Sequence, residues 1–312
     1  MKDLDKFLGC MYGLAIGDAI GFPVEFMNLG QIKEKFGEQG VTGFEHAWNF
    51  PKGTYSDDTQ MSIAVANGIL SAGNANDLES VMKNIGQEFI KWYNSPENNR
   101  APGETCAIGC ENLQKGMHWR ESGVNESKGC GAAMRTAPIG LFYSDIEKVK
   151  EVAYASSVCT HAHPTGVASG VATACLVHLA LHRCRPESML DKLFLHTDKY
   201  DVYREFRRAI EEVNDVLSLE PEKAIPEIGQ GWIGEEAVGI ALYSFLKSPD
   251  DYRKTVLTAA NITGDSDSTA CIAGAISGAY NGIANLPEKW VREIENSELL
   301  KEIAEQLYRK RL

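Results

Sequence analysis

The chain has 312 residues, a net charge of −12, 44% hydrophobic residues and 24% charged residues. This composition is ordinary for a soluble globular protein. The acidic balance argues against a nucleic-acid backbone or an anionic membrane surface as a partner. The length fits one domain, residues 1–312, if the core is all-helical.

The cysteine pattern and the apolar runs indicate a cytoplasmic protein. The eight cysteines occur singly or as Cys106-x3-Cys110, without a CxxC pair, which predicts reduced, mostly buried thiols. The apolar run from Phe7 to Ile16 could imitate a signal peptide, but acidic residues flank it and glycines interrupt it, so we reject that interpretation. We expect no apolar run of transmembrane length.

The first quarter of the chain predicts a long helix, residues 4–22, followed by a loop that carries an acid. Small and apolar residues fill this helix, and its glycines allow close packing. Glu25 follows beside Pro23 and two phenylalanines, which would leave it partly buried; a surface carboxylate is the alternative. The apolar spacing predicts further helices over 56–71, 78–93 and 105–116.

A first acidic cluster opens the helix at 56–71. Ser56 is a preferred helix N-cap, and Asp57 and Asp58 follow it in the first turn. Carboxylates at this position interact with the positive end of the helix dipole, which favours their ionised form. An acidic cap on a core helix would look the same.

The middle of the chain contains a glycine-rich segment, Lys128 to Arg135, that enters a helix. Such backbone can bring amide groups close to phosphate or sugar oxygens, although no Walker or GxGxxG spacing is present. A tight packing turn is the alternative. Helices are predicted over 149–159 and 167–182. Between them, His161 and His163 lie two residues apart, so they would not share a helix face.

The second half continues with helical patterns and one aromatic loop. Residues 187–219 are charged and amphipathic, and 235–246 and 287–312 predict further helices. The loop from Gly229 to Gly234 carries Trp232, which could stack on a ligand ring or plug the surface. Runs with strand period are absent. The sequence therefore predicts one all-α domain.

A second acidic cluster, with Asp265 and Asp267, precedes a small-residue helix at 270–280. Two ionised carboxylates beside a buried helix repel each other unless a cation joins them. Oxygen ligands suit Mg, Mn or Ca rather than Zn. If both clusters converge, four carboxylates would normally hold two divalent ions. An Asp-rich cap on a core helix is the alternative.

Five motifs in this order resemble the ADP-ribosylglycohydrolase family, which includes the dinitrogenase reductase-activating glycohydrolases. The resemblance spans nearly the whole chain and is most similar to the ADP-ribosylarginine hydrolase branch. Ser stands at 56 and 268, where many relatives carry Thr. The motifs are Gly17-Asp18 through Glu25, Ser56-Asp57-Asp58-Thr59, Gly129-Cys130-Gly131-Ala132-Ala133-Met134-Arg135, Thr160-His161 with Pro164-Thr165-Gly166, and Gly264-Asp265-Ser266-Asp267-Ser268-Thr269.

The resemblance implies a compact orthogonal helical bundle with two Mg or Mn ions in a central cleft. The implied metal ligands are Ser56, Asp57, Asp58, Asp265, Asp267 and Ser268. Glu25 would lie on a mobile loop over the metals, and Asp57, Asp58 and Glu25 are the candidate catalytic acids. The implied substrate-binding residues are Gly129, Cys130, Gly131, Ala132, Met134 and His161, with Gly231 and Trp232 near the adenine.

The expected activity is hydrolysis of the N-glycosidic bond between ADP-ribose and arginine on modified proteins. We expect the enzyme to be a monomer that binds no nucleic acid and no membrane. Such cleavage passes through an oxocarbenium-like transition state and needs a positioned water. Two metals can orient that water, and a carboxylate can take its proton. The alternatives are another ADP-ribosyl linkage, serine-linked or O-acetyl-ADP-ribose, and an inactive ADP-ribose-binding relative.

Overall fold

The computed structural model describes residues 3–197 and 203–312, which contain sixteen α-helices and no strand. Three isolated β-bridges accompany them. The all-α prediction is therefore confirmed for this part of the chain. The helices are α1 (Asp3–Gly21), α2 (Leu29–Phe36), α3 (Asp57–Ser71), α4 (Leu78–Tyr93), α5 (Glu104–Gln114), α6 (Ala137–Phe142), α7 (Ile146–Val158), α8 (Pro164–Leu181), α9 (Met189–Thr197), α10 (Arg204–Val216), α11 (Pro221–Ile228), α12 (Gly234–Lys247), α13 (Tyr252–Ala260), α14 (Ser266–Asn281), α15 (Glu288–Glu293) and α16 (Ser297–Lys310).

The two central helices, α1 and α14, pack with almost no space between their backbones. Glycines recur every fourth residue on α1, at 9, 13, 17 and 21, which places them on one helix face. A Cβ atom at Gly17 would lie 2.0 Å from the carbonyl oxygen of Ala270, and one at Gly21 would lie 2.5 Å from the Cα of Asp267. Because only glycine permits this approach, the contact fixes the end of α1 beside the start of α14.

Most predicted helices are present, with small shifts at their ends. Helix α4 has the predicted bounds, and α8 begins at Pro164 rather than at 167 because proline is favoured in a first helical turn. Helices α11 and α13 were not predicted. The glycine-rich segment forms a 3₁₀ helix, Cys130–Arg135. Residues 198–202, within the predicted amphipathic region 187–219, lie outside the described residues.

The prediction about transmembrane length was wrong for two segments. Asp3–Val24 and Pro164–Leu181 are both long and apolar enough to cross a membrane, although 94% of the apolar window in each is buried inside the protein. The glycines in the first segment do not lower its mean hydropathy enough to exclude it as a candidate membrane span. The glycines of this helix face α14. The residues that suggested an interrupted apolar run therefore allow close packing in the core.

All eight cysteines are free thiols, and seven of them are buried. Cys130 is the exception, since it is only partly buried. The expectation of mostly buried thiols therefore agrees with the structure.

Candidate functional site

Asp18, at the end of α1, supports the turn that begins α3. Its side chain is fully buried. One carboxylate oxygen accepts the Ser56 amide at 2.8 Å, and the other accepts the amide and hydroxyl of Thr59 at 2.9 and 2.6 Å. These bonds satisfy amides at a helix start that have no partner within the helix. Asp18 therefore holds the first turn of α3, which carries the first acidic cluster, in position.

The first acidic cluster lies in the opening turn of α3. Ser56 is the N-cap, and its hydroxyl accepts the Asp58 amide at 3.3 Å. The Asp57 carboxylate accepts the Gly103 amide at 3.3 Å. Both aspartates are buried. The hydroxyl and the two carboxylates of this motif therefore lie together, as predicted.

The second acidic cluster lies in the opening turn of α14. Asp265 is the N-cap and accepts the Ser268 amide at 3.3 Å. Its other oxygen accepts the Cys130 thiol at 2.8 Å, which ties the glycine-rich segment to this turn. Asp267 and Ser268 follow and are buried.

The two clusters converge, and Glu25 joins them. Burial raises the pKa of Asp18 to about 7 and that of Glu25 to about 12, and in both cases the charge of Asp267 is the next cause. The pKa values of Asp57 and Asp58 are also raised, first by burial and then by Asp267. The packing of α1 accounts for this: a Cβ at Gly21 would lie 2.5 Å from the Cα of Asp267, and Asp18 on the same helix bonds to Ser56 of the first cluster.

Three carboxylate oxygens in this cluster are buried without a hydrogen-bond partner: Glu25 Oε2, Asp58 Oδ2 and Asp267 Oδ1. Buried polar atoms normally have partners, so these oxygens fit a cation that binds oxygen ligands. Within residues 3–197 and 203–312, no three acidic, histidine or cysteine side chains form a preformed metal-binding group.

The glycine-rich segment borders the carboxylates, but its members differ in access. The Cys130 amide donates to the Trp232 carbonyl at 3.3 Å, so this amide is not free for a substrate. Ala132 and Met134 are buried, and the Met134 carbonyl accepts the Ser62 hydroxyl at 3.2 Å. Gly131 is buried as well, whereas Gly129 is only partly buried, so the predicted substrate-binding role of this segment depends most on Gly129.

Gly129 and Gly131 leave space beside the ring of His161. A Cβ at Gly131 would lie 2.8 Å from Cε1 of this ring, and one at Gly129 would lie 3.4 Å from its Nε2. Burial, and after it the charge of Arg135, lowers the pKa of His161 to about 3. His161 is therefore a neutral ring. His163 instead caps α8, where its Nδ1 accepts the Thr165 amide at 3.2 Å.

Trp232 stacks on Phe26, the neighbour of Glu25, with ring centroids 5.3 Å apart. Both rings are partly exposed. Phe26 has a positive φ of 68°, a backbone conformation that is uncommon for a bulky residue. The predicted adenine-binding loop, Gly231 and Trp232, therefore lies against the loop that carries Glu25.

A groove of about 1180 Å³ lies beside the carboxylates rather than at them. Trp232, Asn261 and Thr263 are among its lining residues, whereas the six clustered carboxylates are not. Residues 261–263 line the groove and directly precede the second acidic cluster in the chain.

Sequence reasoning missed Asp18 as a site residue. Its position within a buried apolar helix was the available signal, because a buried carboxylate needs hydrogen-bond partners or charge partners. The partners, Ser56 and Thr59, lie about forty residues away and become neighbours only in the folded protein.

A model of the ADP-ribosylglycohydrolase family matches residues 1–312. An uncharacterized protein from Archaeoglobus fulgidus is 32% identical over 97% of this chain and 96% of its own length. The human ADP-ribosylhydrolase ARH3 is 28% identical, with 99% of this chain and 94% of its own length covered. The ADP-ribosylarginine hydrolase Tri1 from Serratia proteamaculans is 26% identical, with 98% and 80% covered.

A solved structure described as an ADP-ribosylglycohydrolase-related protein complex has the same fold, with a TM-score of 0.81 over 99% of both chains and 24% sequence identity. Together with the match of the family model to residues 1–312, the fold and the converging carboxylates lead to one assignment. The chain belongs to the ADP-ribosylglycohydrolase family.

Proposed function

We propose that this protein is a metal-dependent glycohydrolase that releases ADP-ribose from arginine on modified proteins. The observation that carries the proposal is the convergence of the two acidic helix starts with Glu25, which leaves three buried carboxylate oxygens without partners. The similarity to the ADP-ribosylarginine hydrolase Tri1 supports arginine as the linked residue.

Ser56, Asp57, Asp58, Asp265, Asp267 and Ser268 would hold two divalent cations, Mg or Mn. Their oxygen donors fit these ions, and burial of so many carboxylates is unfavourable without positive charge. When bound, the cations would supply electrostatic stabilisation and lower the pKa of a coordinated water.

The remaining steps would be carried out by side chains of this protein. Asp18 holds the turn of the first acidic cluster, and Cys130 donates to Asp265 in the second. Glu25 has a buried oxygen without a hydrogen-bond partner, and cations bound beside it would lower its raised pKa, so with cations bound it would be our first candidate to take a proton from the attacking water, with Asp57 as the second. General-base catalysis of this kind contributes about 10²–10⁴-fold to a rate.

The test is an assay of ADP-ribose release from arginine-linked and serine-linked ADP-ribosyl proteins, with Mg or Mn present. We expect release from arginine, reduced about 10²–10⁴-fold in Glu25→Gln. Glu45→Gln is the matched control, because Glu45 forms a surface ion pair with Lys52. An arginine-linked substrate left intact while the serine-linked substrate is cleaved would refute the arginine assignment.

The second candidate function is hydrolysis of another ADP-ribosyl linkage, serine-linked or O-acetyl-ADP-ribose. It is favoured by the similarity to ADP-ribosylhydrolase ARH3 proteins, whose names do not specify arginine. Binding of ADP-ribose without any release would instead indicate an inactive relative.

We further propose that residues 1–312 act as a single domain, as a monomer in the cytoplasm. The support is the sequence itself: an acidic charge balance and cysteines that form no paired framework. Size-exclusion chromatography with light scattering tests the monomer.

A further inference from the structure

Arg135 is a fully buried cation. Its guanidinium donates to the Ser156 carbonyl at 2.7 Å and to the Thr160 hydroxyl at 2.6 Å, and it lies 4.5 Å from the ring centre of Phe89. Within the described part of the chain, no carboxylate lies at ion-pair distance from it. Burying a charge in this way is unfavourable, so the arrangement calls for a role beyond packing.

The Thr160 hydroxyl connects Arg135 to His161. It accepts the short bond from Arg135 and lies 2.9 Å from His161 Nδ1, whereas its distance to the Ser157 carbonyl is 3.5 Å. A hydroxyl has a single proton to donate. The shorter distance favours donation to Nδ1, and a bond accepted from a cation makes the hydroxyl a stronger donor.

This direction of bonding decides the form of the histidine ring. A neutral imidazole that accepts at Nδ1 carries its proton on Nε2. The Nε2 edge faces the glycine-rich segment, where Gly129 and Gly131 leave space that a side chain would fill. Cys130, between these glycines, contacts Asp265. The Nε2–H group is thus directed to the border of the carboxylate cluster.

We propose that Arg135 and Thr160 are positioning residues that hold His161 as the Nε2–H tautomer, so that it donates a hydrogen bond to an oxygen of bound ADP-ribose. The proposal rests on the proposed function for the identity of the ligand. It assigns a role to Arg135 and Thr160, neither of which needs to touch the substrate.

The test uses the full protein labelled with ¹⁵N-histidine, without ligand, and reads the protonation of each ring nitrogen by NMR. The chain has seven histidines, and the spectrum of His161→Gln assigns the signal of interest. We expect Nε2–H in the wild type and in Thr160→Ser, which keeps the hydroxyl. In Thr160→Val, which removes the donor at nearly constant volume, we expect a large fraction of the Nδ1–H form.

Binding of ADP-ribose by calorimetry gives the second readout. We expect the Kd to rise about tenfold in Thr160→Val and to stay within about twofold of wild type in Thr160→Ser, since one hydrogen bond to a charged group is lost in the first only. Arg135→Lys should also lower the Nε2–H fraction. If that variant does not fold, the Thr160 pair decides the proposal.

An Nδ1–H ring in the wild type would overturn the proposal. So would a changed tautomer in Thr160→Val with unchanged affinity for ADP-ribose. These outcomes differ from failure of the proposed function, because neither readout involves bond cleavage. A protein that binds ADP-ribose as expected but never cleaves the arginine linkage would overturn only the proposed function.

Discussion

The contact between α1 and α14 leads to a prediction about Gly17→Ala. The new Cβ would lie 2.0 Å from the Ala270 carbonyl oxygen, whereas ordinary contacts begin at 3.4 Å, so the two backbones must separate by 3.4 − 2.0 = 1.4 Å. Overpacking costs about 1–3 kcal/mol, and we expect the upper end because the clashing atom is backbone. Alanine in place of a helical glycine offsets up to about 1 kcal/mol.

We therefore expect Gly17→Ala to lower the free energy of unfolding by roughly 2 kcal/mol, measured by urea denaturation. Gly86→Ala is the matched control: it also lies within a helix, but the nearest atom to its new Cβ is a Leu113 methyl at 3.8 Å. The control should be stabilised by about 0.5–1 kcal/mol. Equal stability of the two variants would refute the reasoning from close backbone approach.

Three further predictions concern charge, metal and pH. Asp267→Asn should raise the melting temperature of the metal-free protein at pH 8, because Asp267 is the main charged neighbour of the other carboxyl groups; a lower value would contradict the shared cluster. Mn or Mg should raise the melting temperature of the wild type, because a ligand that binds only the folded state stabilises it. The metal should not raise the melting temperature of Asp267→Asn. An equal rise in both proteins would exclude Asp267 as a metal ligand. Burial, and then the charge of His182, lowers the pKa of His178 to about 4. Between pH 6.5 and 4 the unfolded state therefore binds more protons than the folded state. From pH 7.5 to 5.0, the free energy of unfolding of the wild type should fall by roughly 2 kcal/mol relative to that of His178→Gln, measured by urea denaturation. A difference between the two proteins that does not change with pH would contradict a buried neutral His178.

Local sequence patterns were sufficient to predict most of the helices and both acidic helix starts. Ser56 and Asp265 are N-caps because their short polar side chains accept amides that a first helical turn leaves free. The residues that determine such a cap lie within four positions of one another in the sequence. Helices α11 and α13 escaped prediction because they are short, eight and nine residues long, so they show little periodicity.

The sequence by itself determined an all-α chain with two acidic helix starts and a family resemblance. Only the tertiary structure decided that these starts meet, that Asp18 supports one of them, and that Arg135 reaches His161 through Thr160. The physical reason is that capping and periodicity depend on neighbours in the chain. Convergence depends instead on how closely α1 and α14 can approach, and the missing side chains of facing glycines set that distance.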